Sequence, residues 1–155
     1  MDEIRIFKDK VYCNNLNLNQ KKYGIIQNGT LVLMPEEFLY LLSRNKINTD
    51  KPLTYFIKKF SKKIQDRFLI YEDLRKKGYI LKSGLKFGSD FRVYDKNKFD
   101  GHSKWLLNVL HKSSINKKDF SSMNRLANST KKNILLAYLD SENGISYFEI
   151  SWKKL

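Results

Sequence analysis

Three polar side chains stand where proton transfer and charge stabilisation can be done: Tyr94, His102 and Lys132. Tyr94 ends an alternating segment, with Arg92 and Asp90 on the same side of a strand. An amphipathic surface tyrosine fits that position equally well, and the chain has nine tyrosines. His102 follows a polar loop and precedes an apolar run. Its imidazole can serve as acid or base near neutral pH, or simply as a hydrogen-bonded loop residue. His111 lies at the far end of that run, and His102 is favoured because it is nearer Tyr94. Lys132 lies between a helical stretch and an apolar one. Taken alone it is a helix-end cation, or part of a phosphate-contacting pair with Lys131.

Other chemistries have less support. There is no glycine-rich phosphate loop. Asp90 and Glu149 with a nearby lysine are the nearest approach to a metal-nuclease set, and nothing in the sequence brings the two acids together. The single cysteine, Cys13, excludes an internal disulfide and a thiolate zinc site, and two histidines make a polyhistidine metal centre improbable. No metal and no cofactor are therefore expected.

Composition narrows the partner. The 155 residues carry a formal net charge of +14, with 41 % hydrophobic and 14 % aromatic residues. A packed core is within reach, and the positive balance points to a polyanion such as RNA. The alternative is compositional bias, since Lys, Asn and Ile are abundant together. The N-terminus is not a signal peptide, and no apolar run spans a bilayer, so no membrane partner and a cytoplasmic location are expected.

These residues need elements to hold them. Ile4–Phe7 and Thr30–Leu33 read as short strands, with Asn28-Gly29 as a tight hairpin turn after Ile25-Ile26. Pro35 opens a helix with Glu36 and Glu37 at its positive end, and Asn45 closes it. A second short helix runs through Leu53, Phe56, Ile57 and Phe60. A longer one covers about Lys63 to Lys77, with Phe68, Tyr71 and Leu74 on one face and Gly78 beyond its end. That helix joins two halves. Beyond it, a strand is expected from Lys86 to Tyr94, with Phe87, Ser89, Phe91 and Val93 on the other face. A polar loop follows from Asp95 to Gly101, then a buried strand from Trp105 to Leu110. A helix through Phe120, Met123, Leu126 and Ala127 leads to the apolar run Ile134 to Leu139, and Asn143-Gly144 turns into Ile145 to Trp152. The class is α/β or mixed α+β. A small N-terminal α/β domain is placed at 1–65, and a C-terminal domain, with a mixed sheet flanked by helices, at 66–155.

Three ordered blocks carry a resemblance. Gly84-Leu85-Lys86-Phe87-Gly88-Ser89-Asp90-Phe91-Arg92-Val93-Tyr94 resembles the signature strand of the archaeal tRNA-intron endonucleases. His102-Ser103-Lys104-Trp105-Leu106-Leu107 is similar to the segment that follows it. Arg125 to Lys132 looks like the third block, which leads into a buried strand. Tyr71 to Ile80 resembles the helix entering that domain, and Tyr23 to Leu42 is more loosely similar to the N-terminal domain. The resemblance implies a catalytic subunit that excises introns from precursor tRNA at a bulge-helix-bulge, without a metal, leaving 2′,3′-cyclic phosphate and 5′-hydroxyl ends. It implies Tyr94 as general base, His102 as general acid and Lys132, which stands two residues before the apolar strand, as the stabilising cation. A peptide tyrosine ionises near pH ~10, so a neighbouring cation would help it act as base.

The family also grips a bulged base between two side chains. Arg125 matches the first of these. The second position holds Ile150 or Ser151, and Trp152 is the substitute, since an indole can stack on a base. Asp140-Ser141-Glu142 occupies the place of an acidic loop that docks a neighbouring subunit, with an ordinary polar hairpin as its alternative. The loop from Tyr94 to His102 is short for the family. Two bulges on one RNA imply at least two catalytic copies, in a homotetramer or in a heterotetramer with a paralogous structural subunit. The shortened N-terminal half favours the heterotetramer. A non-catalytic RNA-binding subunit of the same assembly is the rival reading.

Overall fold

Two sheets of different build divide the chain in the computed structural model, which describes residues 1–96, 98–99, 101–112 and 114–155. One unit is Met1–Glu72 and the other Asp73–Leu155. Asn97 and Asp100, within the loop expected from Asp95 to Gly101, lie outside the described residues.

The first unit is built on an antiparallel sheet of β1 (Ile4–Phe7), β2 (Lys10–Cys13), β3 (Ile25–Gln27) and β4 (Thr30–Leu33), in the order β1-β2-β4-β3. The Asn28-Gly29 turn has φ of 49° and 75°, and Gln27 pairs with Thr30 across it. Both central residues of such a turn need positive φ, which explains this dipeptide. Pro35 opens α1 (Pro35–Ser43), and Asn45, at φ 54°, follows its end. Glu37 at its third position is 2 % exposed. Its Oε1 accepts from the Met34 amide at 3.0 Å and its Oε2 from the Gly24 amide at 2.8 Å. Gly24 (φ +61°) has no room for a side chain, because a Cβ there would sit 2.7 Å from the Val32 carbonyl oxygen. Glu36 is also buried and pairs with Arg67 at 2.8 Å. α2 (Leu53–Ile57) is anchored by buried Phe56, whose ring meets Phe38 edge-on at 5.0 Å. α3 (Lys62–Lys76) carries buried Phe68, Tyr71 and Leu74 on one face and contains the division between the units.

The second unit has a five-stranded sheet in simple chain order: β5 (Ile80–Ser83), β6 (Phe91–Tyr94), β7 (Trp105–Leu110), β8 (Asn133–Leu139) and β9 (Ile145–Ile150). All neighbours are antiparallel except β7 and β8, which are parallel, so the sheet is mixed. A parallel pair needs a crossover, and α4 (Lys117–Ser129) supplies it. Asn116 caps α4 by accepting from the Asp119 amide at 2.8 Å. Ala127 of α4 packs with Ile134 and Leu136, with Met123, Leu110 and Ile150 around them.

The expected strand from Lys86 to Tyr94 is shorter. Leu85–Phe87 forms a 3-10 turn, Gly88 is left-handed at φ 63°, and extended pairing starts only at Phe91. Ser89, buried, points its hydroxyl back at the Gly84 and Phe91 carbonyls, each at 3.4 Å. Local hydrogen bonding of this kind competes with a ladder. The Asn143-Gly144 turn is likewise wider than two residues, since β8 and β9 meet at Leu139 and Ile145.

Candidate active site

Strand direction alone gathers the three sequence-selected residues at one end of the second sheet. β6 ends at Tyr94. β7, antiparallel to it, starts beside that end, with Trp105 opposite Val93. β8, parallel to β7, starts at the same level, with Asn133 opposite Trp105. The chain segments entering β7 and β8 are tied there by backbone bonds. The Lys104 amide donates to the Val93 carbonyl at 2.9 Å, and the Asn133 amide donates to the Lys104 carbonyl at 3.2 Å.

Side chains add to this convergence. Lys132 Nζ donates to the Ser103 carbonyl at 2.8 Å, next in sequence to His102. Its neighbour Lys131 takes a different path. Lys131 sits at φ 58°, just past the end of α4, and the Lys132 amide then donates to the Ala127 carbonyl at 2.8 Å. This left-handed residue reverses the chain, leaving Lys131 exposed and Lys132 half-buried. Burial first, then the charge of Arg92, hold the Lys132 ammonium below the usual lysine range. His102 is exposed, in the segment between Tyr94 and β7. His111 is exposed beyond the other end of β7, roughly 20 Å of strand away.

Tyr94 corrects the expectation of a polar strand face. Alternation does set it beside Arg92, yet it is only 2 % exposed. Its ring packs against Phe99, with centroids 4.6 Å apart, and Lys82 Nζ lies 5.8 Å from the Phe99 ring. Period-two alternation says which residues share a face, not whether that face is covered.

Two neighbours were not legible as part of this region. Arg92 donates from Nε to the Ser83 carbonyl at 2.8 Å and lies over the Phe87 ring at 5.7 Å. That fixes a second cation whose charge reaches Lys132. Ser103 supplies the carbonyl anchor, while its own hydroxyl is buried without a hydrogen-bond partner among the described residues. The signal for Arg92 was its place on the same strand face as Tyr94. Ser103 gave none.

The remaining candidates lie elsewhere on the unit. Arg125 is exposed on α4, and Trp152 is 54 % exposed after β9. Asp140 Oδ1 accepts from the Glu142 and Gly144 amides, both at 2.8 Å, so this acid shapes its own loop, and Glu142 is exposed. The two acids of the alternative metal set are held separately. Asp90 Oδ2 accepts from the Val109 amide at 2.7 Å, and Glu149 Oε1 from Asn133 Nδ2 at 2.8 Å. Among the described residues no three His, Cys, Asp or Glu side chains group as metal ligands.

Known proteins match this sequence. Residues 64–147 match the family model of the tRNA intron endonuclease catalytic C-terminal domain, a span holding Tyr94, His102, Arg125, Lys132, Asp140 and Glu142 but neither Glu149 nor Trp152. The tRNA-splicing endonuclease of Pyrococcus abyssi is 36 % identical, over 97 % of this chain and 92 % of that protein. That of Thermococcus onnurineus is also 36 % identical over the same shares. That of Methanococcus vannielii is 33 % identical over 89 % of this chain and 84 % of its own length. With the catalytic domain matched over more than half the chain, and relatives matched almost end to end, the chain belongs to the tRNA intron endonuclease family.

Proposed function

We propose that this chain is a tRNA-splicing endonuclease of the cytoplasm that excises introns from precursor tRNA at bulge-helix-bulge motifs. Its family supports the substrate class, and the meeting of three segments at one sheet end supports the chemistry. The observation that carries the reading is the Lys132 bond to the carbonyl beside His102, at the level where β6 ends in Tyr94.

In the proposed step Tyr94 takes the proton of the 2′-hydroxyl next to the scissile phosphate. The 2′-oxygen attacks phosphorus, and the bond from phosphorus to the 5′-oxygen breaks. His102 hands its proton to that leaving oxygen, giving a 2′,3′-cyclic phosphate and a 5′-hydroxyl. Lys132 stabilises the added negative charge on the phosphate oxygens. An ammonium has three donors, so the Ser103 carbonyl leaves it further capacity toward phosphate. No step calls for a metal. Arg125 and Trp152 are proposed to hold a bulged base, and Asp140 and Glu142 to meet a neighbouring subunit. The working assembly has at least two catalytic copies. It is a heterotetramer with a paralogous structural subunit, or a homotetramer if the purified chain cleaves alone.

Incubating precursor tRNA with the assembly in EDTA tests the reading. Cleavage that persists, yields cyclic phosphate ends, and disappears in Tyr94→Phe and His102→Ala is the expected result. A strict need for Mg²⁺, or full activity in both variants, refutes it. No helix among the described residues is long and apolar enough to cross a membrane.

A further inference from the structure

Away from the triad, on the first unit, the stretch from residue 44 to 63 concentrates charge. It holds seven Lys and Arg against one acid, Asp50, and all eight side chains belong to exposed residues. In their midst Tyr55 is 42 % exposed. Its direction follows from the packing of α2: adjacent Phe56 is buried against Phe38, which turns Tyr55 outward. Lys59 Nζ lies 4.8 Å and Lys51 Nζ 5.9 Å from the Tyr55 ring centroid. Two hollows adjoin this ring and share Lys59. One of about 550 Å³ is bounded by Lys51, Thr49 and Ile6, the other of about 450 Å³ by Thr54 and Lys58.

We infer that this surface is a second RNA contact, where Tyr55 stacks an unpaired base and Lys51, Lys58 and Lys59 take the flanking phosphates. The inference rests on the proposed RNA substrate. An exposed aromatic ring among cations is the pairing that single-stranded nucleic acid uses, since every base has a face to stack and every nucleotide brings a phosphate. The lysines now on the ring give that face to the base and turn to the phosphates. Asp2 and Asp50 also border the larger hollow, and Asp2 Oδ2 accepts from the Asn48 amide at 2.8 Å; Lys51, Lys58 and Lys59 around Tyr55 outnumber these acids. Lys62 is excluded from the phosphate set by its pairing with Asp66 at 2.9 Å. The surface adds affinity and contributes no group to the chemical step.

The test uses the full chain in its active assembly, with K51Q/K58Q/K59Q, the matching triple Lys→Arg variant and Tyr55→Leu. Binding of precursor tRNA is measured over a range of salt, and the single-turnover rate at saturating enzyme. The Gln variant is expected to bind about tenfold more weakly or worse, with the salt slope reduced by about 3. The Arg variant keeps both values. Tyr55→Leu is expected to lose about fivefold or more in affinity with its salt slope intact. All keep the wild-type saturating rate and melting temperature. Unchanged affinity and slope in the Gln variant overturn the inference. So does a change in sedimentation mass with unchanged RNA affinity, which makes the patch a protein-docking surface. Wild-type protein that neither binds nor cleaves precursor tRNA refutes the functional reading itself, whereas normal wild-type cleavage with indifferent variants refutes only the patch.

Discussion

Glu37 in the first unit is buried and Lys132 in the second half-buried, and the two charges are treated differently. Glu37 is clasped at both oxygens by backbone amides, from Gly24 and Met34, and its charge joins a glycine turn to the start of α1. The Lys132 ammonium has one hydrogen bond among the described residues, to a neutral carbonyl, and a neighbouring cation that works against its charge. The first arrangement satisfies a charge where it stands. The second holds a charge in place and leaves it short of partners. A buried group of the first kind stabilises a fold, and one of the second kind is ready for an anion that arrives later.

Substitutions can break that contrast. The largest effect is expected from His102→Ala and Tyr94→Phe, each lowering the cleavage rate about a thousandfold with the melting temperature kept. Glu37→Ala should do the reverse. A buried amide, of Gly24, and a half-buried one, of Met34, lose their acceptor, costing about 3 kcal/mol of stability by denaturant titration, while the rate per folded molecule stays normal. Lys132→Met should cost about a hundredfold in rate with little or no loss of stability, since burial and Arg92 already oppose its charge. If Lys132→Met unfolds the protein as Glu37→Ala does, the contrast fails.

The same contrast predicts a pH profile. The Lys132 ammonium is held below the usual lysine value of 10.5. The alkaline limb of the cleavage rate should therefore begin below that value. Stability behaves oppositely, because between the lowered and ordinary values the unfolded chain binds the extra proton, so stability rises with pH there.

The smallest effect is expected at Asp73, a carboxylate of the Glu37 kind in the second unit. It accepts from Tyr147 Oη at 2.6 Å and from Lys77 at 2.8 Å. Burial raises its pKa, but these bonds outweigh it and hold the value below 3.8, while burial and Asp73 push the Tyr147 phenol up. Its stabilisation is complete above the ordinary carboxylate value and is lost as pH falls through the lowered one. Tyr147→Phe should cost about 1.5 kcal/mol at neutral pH and flatten that acid loss, read by thermal melts across pH.

What the sequence disclosed depended on the range of the forces involved. Asn28-Gly29, Pro35 and the stripe Phe68, Tyr71, Leu74 act over one turn or a few residues, and each lies where expected. β2 and β5 went unread although β1 and β4 of the same length were read, because Lys10–Cys13 and Ile80–Ser83 mix charged or polar residues into the stretch and owe their pairing to their partners. The signature segment was over-extended because Gly88 and the Ser89 hydroxyl turn it before the ladder begins. At the candidate site, family resemblance and strand alternation named the residues. The bond from Lys132 to Ser103 and the pressure of Arg92 are contacts between segments far apart in the chain, and no local pattern encodes them. The charge of residues 44–63 was in plain view, but the outward turn of Tyr55 needed α2 and Phe56.

The parallel pairing of β7 with β8 has a consequence for synthesis. The chain must run back through α4 before those two strands can meet, and Lys132 gains its place only when they do. β8 and β9 follow Tyr94 and His102 in the chain, so they leave the ribosome after them. On the proposed triad, a nascent chain already carrying Tyr94 and His102 is still unarmed. It gains the means to cut RNA only when β8 docks against β7.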